Sequence, residues 1–123
     1  LSADLGGGKT TLTKGIAKGL AISQTVTSPS FTISRVYDGR DQLTLHHFDF
    51  YRLQDPGILA HEISEVVKNN KAVAVIEWGE SVKKILPKAT TRITIERTDT
   101  GEDSRLITVT LPATHRYLLE GQV

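Results

Sequence analysis

Lys9 and Thr10 follow three glycines in the run Asp4-Leu5-Gly6-Gly7-Gly8-Lys9-Thr10-Thr11, and no other stretch points to chemistry so directly. A glycine-rich turn that opens into a helix lets backbone N–H groups wrap a phosphate. The lysine reaches the outer phosphates, and the hydroxyl after it can ligate Mg²⁺. Side chains at positions 6–8 would hold the backbone away from the phosphate, and a residue bulkier than Thr10 would displace the metal. Leu5, Gly6, Gly7, Gly8, Lys9, Thr10 and Thr11 are therefore the candidate nucleotide contacts. The strict phosphate-loop pattern places a glycine where this chain has Ala3.

Nucleotide hydrolysis also needs a carboxylate at the end of a buried strand, to hold Mg²⁺ or its waters. Two acids qualify. Glu77 ends the apolar run Ala72-Val73-Ala74-Val75-Ile76, and Asp49 ends Leu43-Thr44-Leu45-His46-His47-Phe48. Spacing gives metal holding and water placement to the pair, without saying which acid does which. Thr27, Ser28 and Ser30 surround Pro29 in a polar loop of the length expected for a segment that senses a γ-phosphate; an ordinary surface turn would read the same way. His47 falls on the same side of its strand as Asp49. It either orients that acid or is a buried, hydrogen-bonded histidine with no catalytic task. Arg52 reads as a structural ion pair or a phosphate contact, and Trp78 as a packing residue.

These residues need elements to hold them. Leu12, Ile16 and Leu20 recur every four residues and predict an amphipathic helix over 9–20, its positive N-terminal end at the phosphate. Residues 31–37 and 42–48 alternate around the turn Asp38-Gly39-Arg40-Asp41 and predict a hairpin whose first strand is an edge. Asp55-Pro56 is a helix-start signal, with Ile58, Leu59, Ile63, Val66 and Val67 on one face and Asn69-Asn70 at the end. Residues 72–76 are continuously apolar, as a strand covered on both faces should be. A short helix over 80–86 and a last hairpin of strands 92–97 and 105–111 complete the pattern. The fold class is α/β: a P-loop NTPase-like three-layer fold with a short parallel core and antiparallel additions. Leu1-Ser2 reads as the last step of a first strand whose body is missing, as in a truncated piece. The domain is expected over 1–112, with 113–123 as a C-terminal tail.

Composition narrows the class. The 123 residues suit one domain with one core. Lys and Arg total 15 against 14 Asp and Glu, so bulk charge does not imply nucleic-acid binding. Without cysteine there is no disulfide-linked partner and no thiolate metal site. His46, His47, His61 and His115 lack a metal-binding spacing, and no apolar run reaches membrane-spanning length. A soluble cytoplasmic protein is expected.

Four segments in order resemble the bacterial TsaE (YjeE) family: the loop over 4–11, then Thr27-Ser28-Pro29-Ser30-Phe31, then His47-Phe48-Asp49-Phe50-Tyr51-Arg52-Leu53, then Ile76-Glu77-Trp78. The match covers about 3–111, and Gly101 and Arg105 also suit the family. Ala3 departs from its leading glycine, and Gly79 stands where a proline commonly follows Glu-Trp. The resemblance implies a small ATPase, with ATP and Mg²⁺ as cofactors, that supports threonylcarbamoyladenosine formation in tRNA. Its implied partners are the TsaB and TsaD proteins, with tRNA met indirectly through them. It further implies that Lys9 contacts phosphates, that Thr10 ligates Mg²⁺, and that Asp49 and Glu77 are the metal-site and catalytic carboxylates. Residues 27–31 would form the nucleotide-responsive loop. The alternative is a nucleotide-dependent binding module that regulates a partner without significant turnover. A small-molecule kinase lacks support, because neither an arginine-rich lid nor an acceptor site is evident.

Overall fold

The computed structural model describes residues 1–3, 8–27, 34–50, 57–77, 86–87, 89–99, 101 and 103–120. In chain order they form β1 (Ser2–Ala3), α1 (Lys9–Gly19), β2 (Ser34–Asp38), β3 (Thr44–Asp49), α2 (Gly57–Lys68), β4 (Ala72–Glu77), β5 (Arg92–Arg97) and β6 (Arg105–Thr110). The result is a mixed α/β fold with two small sheets, ordered β2-β3-β4 and β1-β5-β6. The pairs β3–β4 and β1–β5 are parallel, while β2–β3 and β5–β6 are antiparallel hairpins. The Leu1 amino group donates to the Ile76 carbonyl at 2.7 Å, so β1 lies between β4 and β5 where the two sheets meet.

Strand alternation sends the two faces of β3 and β4 to different helices. Leu45 and Val75 pack with Ala17, Val26 and Tyr37, with Ile16, Leu20 and Val73 around them, so α1 covers this face. Phe48 and Phe50 pack with Ile63 and Val66, flanked by Ala72, Ala74 and Ile76, so α2 covers the other. The Phe48 and Phe50 rings stack with centroids 5.8 Å apart. Fully burying such side chains contributes about 1.5–3 kcal/mol each.

The helix faces differ from the periodicity in one respect each. The deepest stripe of α1 is Lys9, Thr13 and Ala17, beside the predicted Leu12-Ile16-Leu20 row. Small side chains let a helix approach a sheet closely, and large ones then pack at its flanks. On α2, Ile63 is wholly buried, but Val67 is 42% exposed. The α1 boundary, the last hairpin and the end of α2 lie within a residue or two of expectation; β2 begins at Ser34, and 31–33 of its expected range lie outside the described residues. The expected helix over 80–86 and the start signal at 55–56 fall outside the described residues, apart from Leu86. The segment expected as a tail carries a 3₁₀ helix over Ala113–Leu119, tied to β5's approach by His115 Nδ1 and Thr91 Oγ1 at 2.6 Å.

The turn between β2 and β3 caps α1. The Arg40 N–H donates to the Leu20 carbonyl at 2.7 Å, and Arg40 Nε donates to the Gly19 carbonyl at 3.2 Å. Helix C-termini leave carbonyls without intrahelical donors, and this hairpin supplies two. The contact is tight at Gly39, where an added Cβ would lie 2.6 Å from the Leu20 oxygen. Gly39→Ala should therefore cost about 1–3 kcal/mol of stability, read from urea unfolding midpoints. Gly101→Ala is the control, since its Cβ would meet nothing within 4 Å; equal midpoints for the two variants would refute the docking.

Candidate functional site

The site is built from the start of α1 and the C-terminal ends of β3 and β4. Gly8 immediately precedes the helix with φ 111°, a left-handed conformation that L side chains rarely adopt. Open space surrounds its missing Cβ, so the demand for glycine here comes from the backbone. Among the described residues no side chain caps the N-terminus of α1, and no acid occupies its first turn. Lys9 opens the helix and is buried, with 8% exposure. Thr13, wholly buried one turn on, donates its hydroxyl to the Lys9 carbonyl at 2.9 Å. Thr10 is half-buried and Thr11 exposed. Leu5, Gly6 and Gly7 lie outside the described residues.

Parallel pairing sets Asp49 directly opposite Glu77, two residues beyond the pair His47 and Val75. With period-two alternation, Leu45, His47 and Asp49 share one face with Val73, Val75 and Glu77. That is the face α1 covers, so both acids stand on the side of the sheet where Lys9 begins the helix. Glu77 is 2% exposed, while Asp49 is half-buried. The Phe50 N–H donates to the Glu77 carbonyl at 3.4 Å and continues the ladder past the acids. Burial chiefly pushes the pKa of the Leu1 amino group down, Glu77 opposes the shift, and Lys9 adds to it.

The partner the structure gives His47 is Glu77: Nε2 lies 2.8 Å from Glu77 Oε1. The histidine is wholly buried. Sequence reasoning placed His47 on the right face. It could not name the partner, which sits across the sheet 30 residues away. Of the expected responsive loop, Thr27 is exposed, and its N–H donates to the Tyr37 hydroxyl at 3.4 Å; Ser28 and Ser30 lie outside the described residues, as do Arg52 and Trp78. Gly101 and Arg105 line a cavity of about 710 Å³ at the β5–β6 hairpin. Arg97, Asp99 and Asp103 share that cavity, so it carries two charges of each sign. Among the described residues, no helix is long and apolar enough to cross a membrane, and no group of three or more His, Asp or Glu could hold a metal.

A helix start and two strand-end carboxylates on one face of a small mixed sheet place the chain among mixed α/β proteins, and the fold has known counterparts. The solved structure described as the crystal structure of Bacillus subtilis YdiB superposes with a TM-score of 0.73 at 35% identity, covering 96% of this chain and 70% of that one. The tRNA threonylcarbamoyladenosine biosynthesis protein TsaE of Bacillus subtilis is 40% identical over 112 residues, spanning 89% of this chain and 66% of the relative's length. The protein of the same description in Streptomyces coelicolor is 40% identical over 113 residues, spanning 89% of this chain and 76% of that one. The family model for the threonylcarbamoyl adenosine biosynthesis protein TsaE matches residues 1–107. This chain belongs to the TsaE family.

Proposed function

We propose that this protein is a P-loop ATPase that binds ATP with Mg²⁺ and supports threonylcarbamoyladenosine formation in tRNA, working with TsaB and TsaD in the cytoplasm. The observation that carries the reading is the placement of Asp49 opposite Glu77 on the face where Lys9 opens α1. A module that only binds nucleotide needs the loop and the metal; two strand-end acids on the same face favour hydrolysis. Membership of the TsaE family supports the pathway, and tRNA would be met through the partners.

The residues present fit both cofactors. An uncapped helix N-terminus led by a left-handed glycine suits a phosphate, and hard oxygen donors from Thr10, Asp49 and Glu77 suit Mg²⁺. When bound, Mg²⁺ would neutralise charge on the phosphates and polarise the terminal one. Lys9 supplies an ammonium for the outer phosphates, while backbone N–H groups over 5–11 wrap them. Asp49 and Glu77 divide the holding of metal and the placing of the attacking water. Thr27, Ser28 and Ser30 supply hydroxyls that register whether the terminal phosphate is present. The P-loop NTPase-like layering is part of the same proposal: α1 and α2 on opposite faces of a sheet with a parallel β3–β4 pair support it.

Three outcomes are expected. Lys9→Ala removes a charge-assisted contact worth roughly 1.5–3 kcal/mol, so calorimetric titration with ATP–Mg²⁺ should show affinity weakened about ten- to more than a hundredfold. An unchanged affinity in the folded variant would remove the loop assignment. Asp49→Asn and Glu77→Gln should keep much of the ATP affinity yet lose most of the phosphate release measured with TsaB and TsaD present. Parental rates in both variants would instead favour the binding module. Residues 27–32 should exchange amide hydrogens more slowly with a non-hydrolysable ATP analogue than with ADP, and identical exchange would make the segment a static turn.

A further inference from the structure

The geometry points to His47 as a positioning residue that aims the Glu77 carboxylate. The inference rests on the proposed role of Glu77 in ATP hydrolysis and extends it to a residue with no assigned task. His47 Nε2 and Glu77 Oε1 lie 2.8 Å apart, with side-chain exposures of 0% and 3%. An ionised carboxylate has no proton to offer, so the hydrogen in this bond belongs to Nε2. The other ring nitrogen, Nδ1, is buried and has no hydrogen-bond partner among the described residues.

The consequence for Glu77 is directional. Its Cα is fixed by the β3–β4 ladder, and His47 fixes one carboxylate oxygen. Because the carboxylate is planar, Oε2 then has a set direction as well. A carboxylate that places metal or water depends on such aim, and partners that orient a ligand typically matter ten- to a hundredfold. Stability offers a poorer account of the pair. A buried polar pair is often matched or surpassed by apolar residues of similar volume. Leu45 and Val75, on the same face, show that this layer accepts them.

The test compares His47→Gln with His47→Asn, alongside Glu77→Gln, measuring phosphate release against ATP–Mg²⁺ concentration with TsaB and TsaD present. A glutamine amide nitrogen falls near the place of Nε2, whereas an asparagine amide falls short, near Nδ1. His47→Asn should lower kcat about ten- to a hundredfold with KM for ATP little changed, and His47→Gln should recover most of it. Nitrogen-15 spectra of the parent should show His47 carrying a hydrogen on Nε2. Equal kcat for the two His47 variants and the parent, with Glu77→Gln inactive, would overturn the positioning role and leave the ATPase reading standing. A His47 Nε2 without its hydrogen would overturn it too. A fully active Glu77→Gln would remove both readings together.

Discussion

The register between β3 and β4 is the constraint on which the rest depends. Thr44 faces Ala72 and Asp49 faces Glu77, and the ladder is extended at both ends by Thr44 N–H to the Lys71 carbonyl and Phe50 N–H to that of Glu77. Side chains alternate with a period of two, so a slip of one residue in either strand would turn its whole set to the opposite face. Glu77 would then meet the apolar packing of α2, and Ile76 would meet α1. Burial therefore holds the acids in place: Phe48, Phe50 and Ile63 on one face and Leu45, Ala17 and Tyr37 on the other are satisfied by one register only.

The same constraint explains how a small protein can hold charge so deep. Lys9, His47 and Glu77 are all buried. Each would be costly alone in a low-dielectric interior. The histidine and glutamate satisfy one another. Buried polar residues concentrate where α1 begins, and small residues, Thr13 and Ala17, let the rest of that helix lie on the sheet.

α1 is held at both ends by features of different kinds. At its start, Gly8 supplies a conformation and leaves the first turn without a side-chain cap. At its end, the β2–β3 turn donates from Arg40 to two helix carbonyls, with Gly39 pressed against Leu20. That hairpin also carries Tyr37, whose hydroxyl accepts the Thr27 N–H where the polar loop begins. One hairpin thus ties together the helix that would hold phosphate, the strand that ends in Asp49 and the entry to the loop. Any shift of α1 on the sheet would be felt at all three.

Much of this was legible in the sequence, because several signals are local. The glycine run with Lys9 and Thr10, the apolar stretch ending at Glu77 and the alternation around Gly39 each rest on residues a few positions apart. Their physical causes, backbone freedom, strand burial and turn geometry, act over the same range. What the sequence left open was pairing across distance. His47 was readable as a residue on the Asp49 side of its strand, but its partner depends on which strand lies beside β3 and at what offset. The deepest stripe of α1 escaped for a related reason: periodicity marks large apolar residues, whereas contact with the sheet selects small ones. By itself the chain determined which residues could do chemistry and which elements would carry them. Only the tertiary structure decided who faces whom, because register and helix docking are settled by packing both faces of the sheet together.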